Sequence, residues 1–232
     1  MLTISINSSK IFNYFFMSVV QNPLIGQAKQ KMGNAVFATW KGINVLKTKA
    51  MSVANPQTGR QIMQRSAFAQ IVAIYRFIPA VVNVGFKKLA VKMSEFNAFS
   101  SFNLKEAFNL TAPPVATLIP GNILISKGTI ATTELLTIVA SKAADTIVAT
   151  WSADPLQPGQ SVSDLAIIAA YNSTLNEWTG GVTEDARSTE TASIDLPTSW
   201  VSTNVIQVYL GFYSAVDGKS ADSATLAGTV TA

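Results

Sequence analysis

Two acidic groupings carry the residue types closest to a reaction centre. Glu184-Asp185, with Arg187 close behind, has the composition of a general acid–base pair, and Asp217 and Asp222 flank Gly218-Lys219-Ser220-Ala221 at a spacing that could meet a calcium ion. Paired carboxylates work as a dyad only when they are enclosed, and Glu184-Asp185 lies in a polar stretch, so a solvated turn is the better reading. Lys219 between the two aspartates, and the lack of a bidentate glutamate, favour an ordinary hairpin turn at the second. The chain has no histidine and no cysteine. Imidazole and thiolate nucleophiles, imidazole or Cys metal ligands and disulfides are therefore excluded, as is any side chain titrating near neutrality by default. No phosphate-binding glycine loop, nucleophile elbow or metal-ligand spacing occurs either. The sequence predicts a non-enzymatic protein without cofactors.

The remaining polar chemistry is charge. Residues 1–112 hold thirteen Lys and Arg against two Glu, a net +11, whereas residues 113–232 hold four against eleven, a net −7. Such a division suits a polyanion partner for the basic part, or attraction between neighbouring copies, or two solvated faces. The candidate interface or anion-contacting positions are Trp40, Lys41, Arg60, Arg65, Arg76, Lys87 and Lys88. Arg65 and Arg76 are eleven residues apart, which on a helix is three turns plus about 20°, and so share a stripe. No dense Lys/Arg block is present, which leaves nucleic acid weakly supported. Phe96, Phe99, Phe102 and Phe108 could stack bases, but Glu95 and Glu106 lie among them, so they read as core or interface anchors.

These residues must be positioned by elements legible in the pattern. Residues 1–16 read as a leader, either a signal-like segment around Ile11–Met17 or an over-called start before Met17. Asn22–Gly26 reads as a turn. Val36–Lys47 reads as a hairpin turning near Lys41-Gly42. A helix starts at Asn55–Gln61, with either Asn55 capping ahead of Pro56 or Thr58 capping and Gln61 closing a capping box. Its buried face is predicted as Phe68, Ile71, Tyr75 and Ile78, with Arg65 outward and Pro79 ending or kinking it. A second helix is predicted over Phe86–Met93.

Thr111-Ala112-Pro113-Pro114 then reads as a boundary, since two prolines stop helices and the charge changes sign there. Short strands follow at Ile123–Ser126, Thr146–Ser152, Asp164–Tyr171, Ala192–Leu196, Val205–Ser214 and Ala224–Val230, separated by turn signals that include Gly180-Gly181. The predicted fold is α+β: a basic hairpin and helices over residues 17–112, a linker at 113–121, and an all-β sandwich over 122–232. No run of about 20 apolar residues predicts a membrane-spanning helix.

Trp151 at a strand end, Tyr171 on the next strand, Leu196-Pro197 and the late strand Tyr209–Tyr213 are similar in layout to fibronectin type III and other immunoglobulin-like domains. Asn22-Pro23-Leu24-Ile25-Gly26, Gly33-Asn34, Trp40-Lys41-Gly42-Ile43 and Asn55-Pro56-Gln57-Thr58 with Gln61, Gln64-Arg65 and Phe68 resemble an uncharacterised, phage-associated Bacteroidota family, a domain of unknown function. That resemblance implies an assembly component of a virion, built in the host cytoplasm, whose partners are copies of itself or other virion proteins. Two alternatives stand beside it: a cell-surface or secreted sandwich that binds through its loops, and nucleic-acid binding by the basic half.

Overall fold

The structure is a computed structural model and describes residues 17–19, 30–40, 43–49 and 55–232. The predicted leader and the turn at residues 22–26 lie outside the described residues. The chain forms two compact units divided between Pro56 and Gln57.

The first unit is a four-stranded antiparallel sheet of β1 (Met17–Val19), β2 (Gln30–Met32), β3 (Ala35–Trp40) and β4 (Ile43–Thr48), in the order β1-β4-β3-β2. The predicted hairpin is β3–β4, with Trp40 opposite Ile43 across a two-residue connection. It does not stand alone, as an isolated hairpin is marginal in water. Gly33-Asn34 closes a second tight hairpin between Met32 and Ala35, and Gly33 takes the left-handed φ of +59° that such a turn needs.

The second unit begins with α1 (Gly59–Phe77). Thr58, not Asn55, is its cap: Gln61 N donates to Thr58 Oγ1 at 3.4 Å and Thr58 N donates to Gln61 Oε1 at 3.2 Å, which makes the capping box reciprocal. The buried face runs through Met63, Ala67, Ile71 and Ile74. It is rotated from the predicted one, so that Ile71 and Ile78 are buried but Phe68 is 46% exposed, its ring meeting Phe96 edge-on at 6.2 Å.

Pro79 ends α1 and also opens α2 (Pro79–Gly85), which is bent 98° from α1. The helix predicted over Phe86–Met93 is thus displaced to the residues before it, and 86–93 form turns. Proline's fixed φ suits a first helical turn as well as it stops a preceding helix. Helix α3 (Glu95–Glu106) is capped by Ser94, whose Oγ accepts from Asn97 N at 3.3 Å. Phe99 and the following Phe108 are buried among the helices, in keeping with a packing role.

A short ladder of β5 (Phe108–Asn109) and β6 (Thr117–Leu118) leads into the strands β7 (Leu135–Ser141), β8 (Thr146–Trp151), β9 (Leu165–Asn172), β10 (Glu177–Ala186), β11 (Thr191–Asp195), β12 (Val205–Tyr213) and β13 (Ala224–Thr231). Their order is β10-β9-β12-β13-β7-β8-β11. The sheet folds over on itself: β10-β9-β12-β13 forms one layer and β7-β8-β11 the other. They are joined by a brief parallel pairing of Val230 with Ala140 and Thr231 with Ser141. Trp151, Trp200, Leu210 and Phe212 fill the space between the layers. The sandwich is therefore as predicted in kind, but β7 and β10 were not anticipated, and Ile123–Ser126 is an extended segment outside the sheet.

The boundary predicted at Pro113-Pro114 does not separate two cores. The helices cover the outer face of β10-β9-β12, where Ala169, Tyr171, Trp178 and Tyr209 share one cluster with Ile71, Ile74, Ile78, Val82, Phe86 and Phe99. The order of layers is helix, sheet, sheet. The segment after the prolines is bound to the helices on its way to the sandwich. Gln70 Nε2 donates to Ala116 O at 3.2 Å, and Asn103 bonds Leu124 in both directions, accepting from its N–H at 2.9 Å and donating to its carbonyl at 3.0 Å. Gly85 also lies against this segment: a Cβ there would come within 2.5 Å of Ile125 O.

Trp178 is stacked between Tyr171 (4.8 Å between centroids) and Tyr209 (5.3 Å). Tyr209 Oη donates to Pro120 O at 2.7 Å. Burial, with a smaller contribution from Tyr171, pushes the Tyr209 phenol far above its ordinary 10.0. Because the folded-state value is raised, its contribution is complete below pH 10, and stability is lost as pH climbs above it. Alkaline denaturation followed by circular dichroism should thus steepen above pH 10. Tyr209→Phe should flatten that slope at a cost of about 1 kcal/mol at neutral pH. An unchanged slope in the variant would refute the assignment.

Candidate functional site

Of the basic positions picked from the sequence, five lie in the second unit. Arg60, Arg65 and Arg76 are all exposed on α1, and Arg65 and Arg76 do share a stripe. Arg60, however, lies about 160° around the helix from Arg76 and about 24 Å along it. Lys87 and Lys88 are exposed in the turns after α2, where the Lys87 stem approaches Gly218 of the β12–β13 connection. Trp40 is described only as the last backbone position of β3, and Lys41 lies outside the described residues.

The segment from Asp217 to Asp222 lies in the connection between antiparallel β12 and β13, the hairpin turn read from the sequence. Asp222, partly exposed, accepts from Gly128 N at 3.0 Å and pairs with Lys127 Nζ at 2.9 Å, while Asp217 pairs with Lys219. Among the described residues no group of three or more acidic side chains is placed to hold a metal ion.

Arg187 is no part of a solvated turn. It is fully buried at the crossover where the chain passes from β10 to β11, that is, from one layer to the other. Its guanidinium lies 3.9 Å from the centroid of Phe212, faces Asp164 Oδ2 at 3.4 Å and donates to Thr133 Oγ1, and its carbonyl accepts from Trp151 Nε1 at 2.8 Å. Burial lowers the Arg187 pKa, and the Asp164 carboxylate opposes that shift. The cluster is a structural clamp, since every wall is protein and both charges are withdrawn from solvent.

Glu184 and Asp185 have a different setting. The β9–β10 register shifts between Val182 and Ala186, and this bulge takes residues 183–185 out of the ladder. They line a groove of about 410 Å³ with Thr179–Val182 of β10 and Ser193, Ile194 and Asp195 of β11. β10 and β11 are the two edges of the folded-over sheet, and they meet where Gly181 faces Ile194. Gly180-Gly181, a turn signal in the sequence, lie inside β10. A side chain at Gly180 would meet Ile168 O and Ala169 Cβ at 2.9 Å and Ile78 Cγ2 at 3.0 Å, so the missing Cβ is what lets the helices close over the sheet.

The groove is lined by three carboxylates, Glu184, Asp185 and Asp195, and by no cation. Among the described residues none of the three is in an ion pair. Free strand edges offer backbone donors and acceptors to an incoming segment, and exposed carboxylates select a basic one. The signal available in the sequence was the acidic pair itself; its partner Asp195, ten residues on, is brought in by the crossover.

No single helix among the described residues is long and apolar enough to cross a membrane. No curated protein matches the chain in sequence. Among solved structures, the fn3 domain of the human collagen alpha-1(XX) chain is a distant neighbour, 12% identical with a TM-score of 0.32, over 46% of this chain and 91% of that one. The profile of a family of unknown function, DUF6266, matches residues 26–227, across both compact units, and the chain belongs to that family.

Proposed function

We propose that the protein is a non-enzymatic structural component that works through protein–protein contacts with copies of itself or with other proteins of an assembly. The assembly named by the sequence resemblance is a phage virion. The observation that carries the reading is the polarity of the molecule. Residues 1–56 contain six lysines and no acidic residue, while the sandwich ends in two strand edges around an acidic groove. Opposite charges on separate surfaces favour head-to-tail contacts, which need not close into a ring. The clefts and charged clusters of the second unit add no competing chemistry: its one buried ion pair is walled in by protein, and its groove carboxylates are open to water.

The experiment is light scattering coupled to size exclusion over a concentration series at low and high salt. The expected result is concentration-dependent oligomers that dissociate as salt rises, because exposed charge pairs are screened beyond about 10 Å at 0.1 M ionic strength. A strictly monomeric protein at every concentration and salt overturns self-assembly.

A further inference from the structure

We infer that the groove between β10 and β11 is the acceptor for the basic N-terminal unit of a second copy of this chain. This rests on the assembly reading above and specifies its interface. The groove places Glu184, Asp185 and Asp195 beside strand edges that have no partner on that side in the sheet order. The N-terminal unit is complementary in both respects: among the described residues it is a small sheet whose outer strands are β1 and β2, and Lys31, Lys47 and Lys49 are exposed on or beside its strands.

Charge complementarity of this kind fixes orientation and speeds encounter, and backbone pairing along an edge supplies the directional contacts. The occupant is a second copy because this pairing is the contact between copies that the assembly reading calls for. The bulge at residues 183–185 interrupts the free edge and would limit pairing to a short segment, which suits a regulated contact over runaway edge-to-edge stacking.

The test is a charge swap in the full chain. One variant carries Glu184→Lys, Asp185→Lys and Asp195→Lys; the other carries Lys31→Glu, Lys47→Glu and Lys49→Glu. All six positions are exposed or half-exposed, and melting curves matching the wild type establish that each variant folds. Each alone should self-associate at least about tenfold more weakly than the wild type, as like charges then face one another. The two mixed should associate again, through the restored complementary pair. Wild-type oligomers that persist unchanged in the groove variant overturn the groove as acceptor while leaving assembly intact. Loss in both variants without recovery on mixing overturns the pairing of these two surfaces. A wild type that never self-associates overturns the assembly reading as well.

Discussion

Arg187→Ala is expected to destabilise the second unit by about 3–5 kcal/mol, the range found when one partner of a buried ion pair is removed. In a unit of this size that lowers the melting temperature by roughly 6–20 °C. The cost does not come from the attraction lost. It comes from what stays behind: the Asp164 carboxylate, still buried, with Ser161 N at 2.8 Å as its remaining hydrogen-bond donor. The substitution also vacates the face of Phe212, whose ring is held edge-on by Trp151 at 5.1 Å. Arg187→Lys should recover only part of the loss, since an ammonium neither stacks flat on a ring nor reaches Thr133 and Asp164 together. Arg187→Met combined with Asp164→Asn should cost clearly less than the two single changes summed, because no unpaired charge then remains. Thermal and urea unfolding of the wild type, Arg187→Met, Asp164→Asn and the double variant measures the coupling. If Arg187→Ala melts within a degree or two of the wild type, the crossover is not clamped by this pair.

The burial of Arg187 is not legible in its local sequence. Its neighbours Glu184, Asp185, Ser188 and Thr189 are polar, and a local window sees a solvated turn. What buries it is the passage between layers, which brings Thr133, Asp164 and Phe212 from 54, 23 and 25 residues away. No local pattern encodes that convergence. The capping box at Thr58 and Gln61, the β3–β4 hairpin and the end of α1 at Pro79 were legible because each is decided within a few residues by backbone sterics or one reciprocal hydrogen bond.

The second core was also written in the sequence, in a form that alternation does not capture. Leu165-Ala166-Ile167-Ile168-Ala169-Ala170-Tyr171 is apolar at every position, as a strand covered on both faces must be. Its side chains alternate between cores instead of between core and solvent: Ala166, Ile168 and Ala170 face the sandwich interior, while Ala169 and Tyr171 face the helices. Gly180-Gly181 follows the same logic, a pair of small residues needed for close approach and read as a turn for lack of that context. The charge reversal near residue 113 belongs to this misreading too. It marks a basic helical layer meeting an acidic sandwich within one unit, and carries no information about where one fold ends and another starts.

A chain beginning at Pro113 is accordingly expected not to form a stable sandwich, whereas one beginning at Gln57 should fold cooperatively. Removing the helices uncovers Tyr171, Trp178 and Tyr209 together with Ala169 on the outer face of β10-β9-β12. Aromatic side chains bury about 150–250 Å² each. At about 25 cal/mol per Å², baring even half of that surface forfeits several kcal/mol from a native balance of about 5–15 kcal/mol. The deletion also strips the Asn103 side chain that accepts from Leu124 N at 2.9 Å and the Gly85 carbonyl that accepts from Lys127 N at 3.1 Å, so backbone donors lose their acceptors at the same time. The shorter fragment should bind a hydrophobic dye, lose near-ultraviolet circular dichroism and show no sharp thermal transition; the longer should melt in one step. A fragment of residues 113–232 with a dispersed NMR spectrum and the melting temperature of residues 57–232 would mean that the helical layer only rests on a sandwich already complete without it. In that case the aromatic stack around Trp178 would have to be content in water, which three large rings on one open sheet face are not.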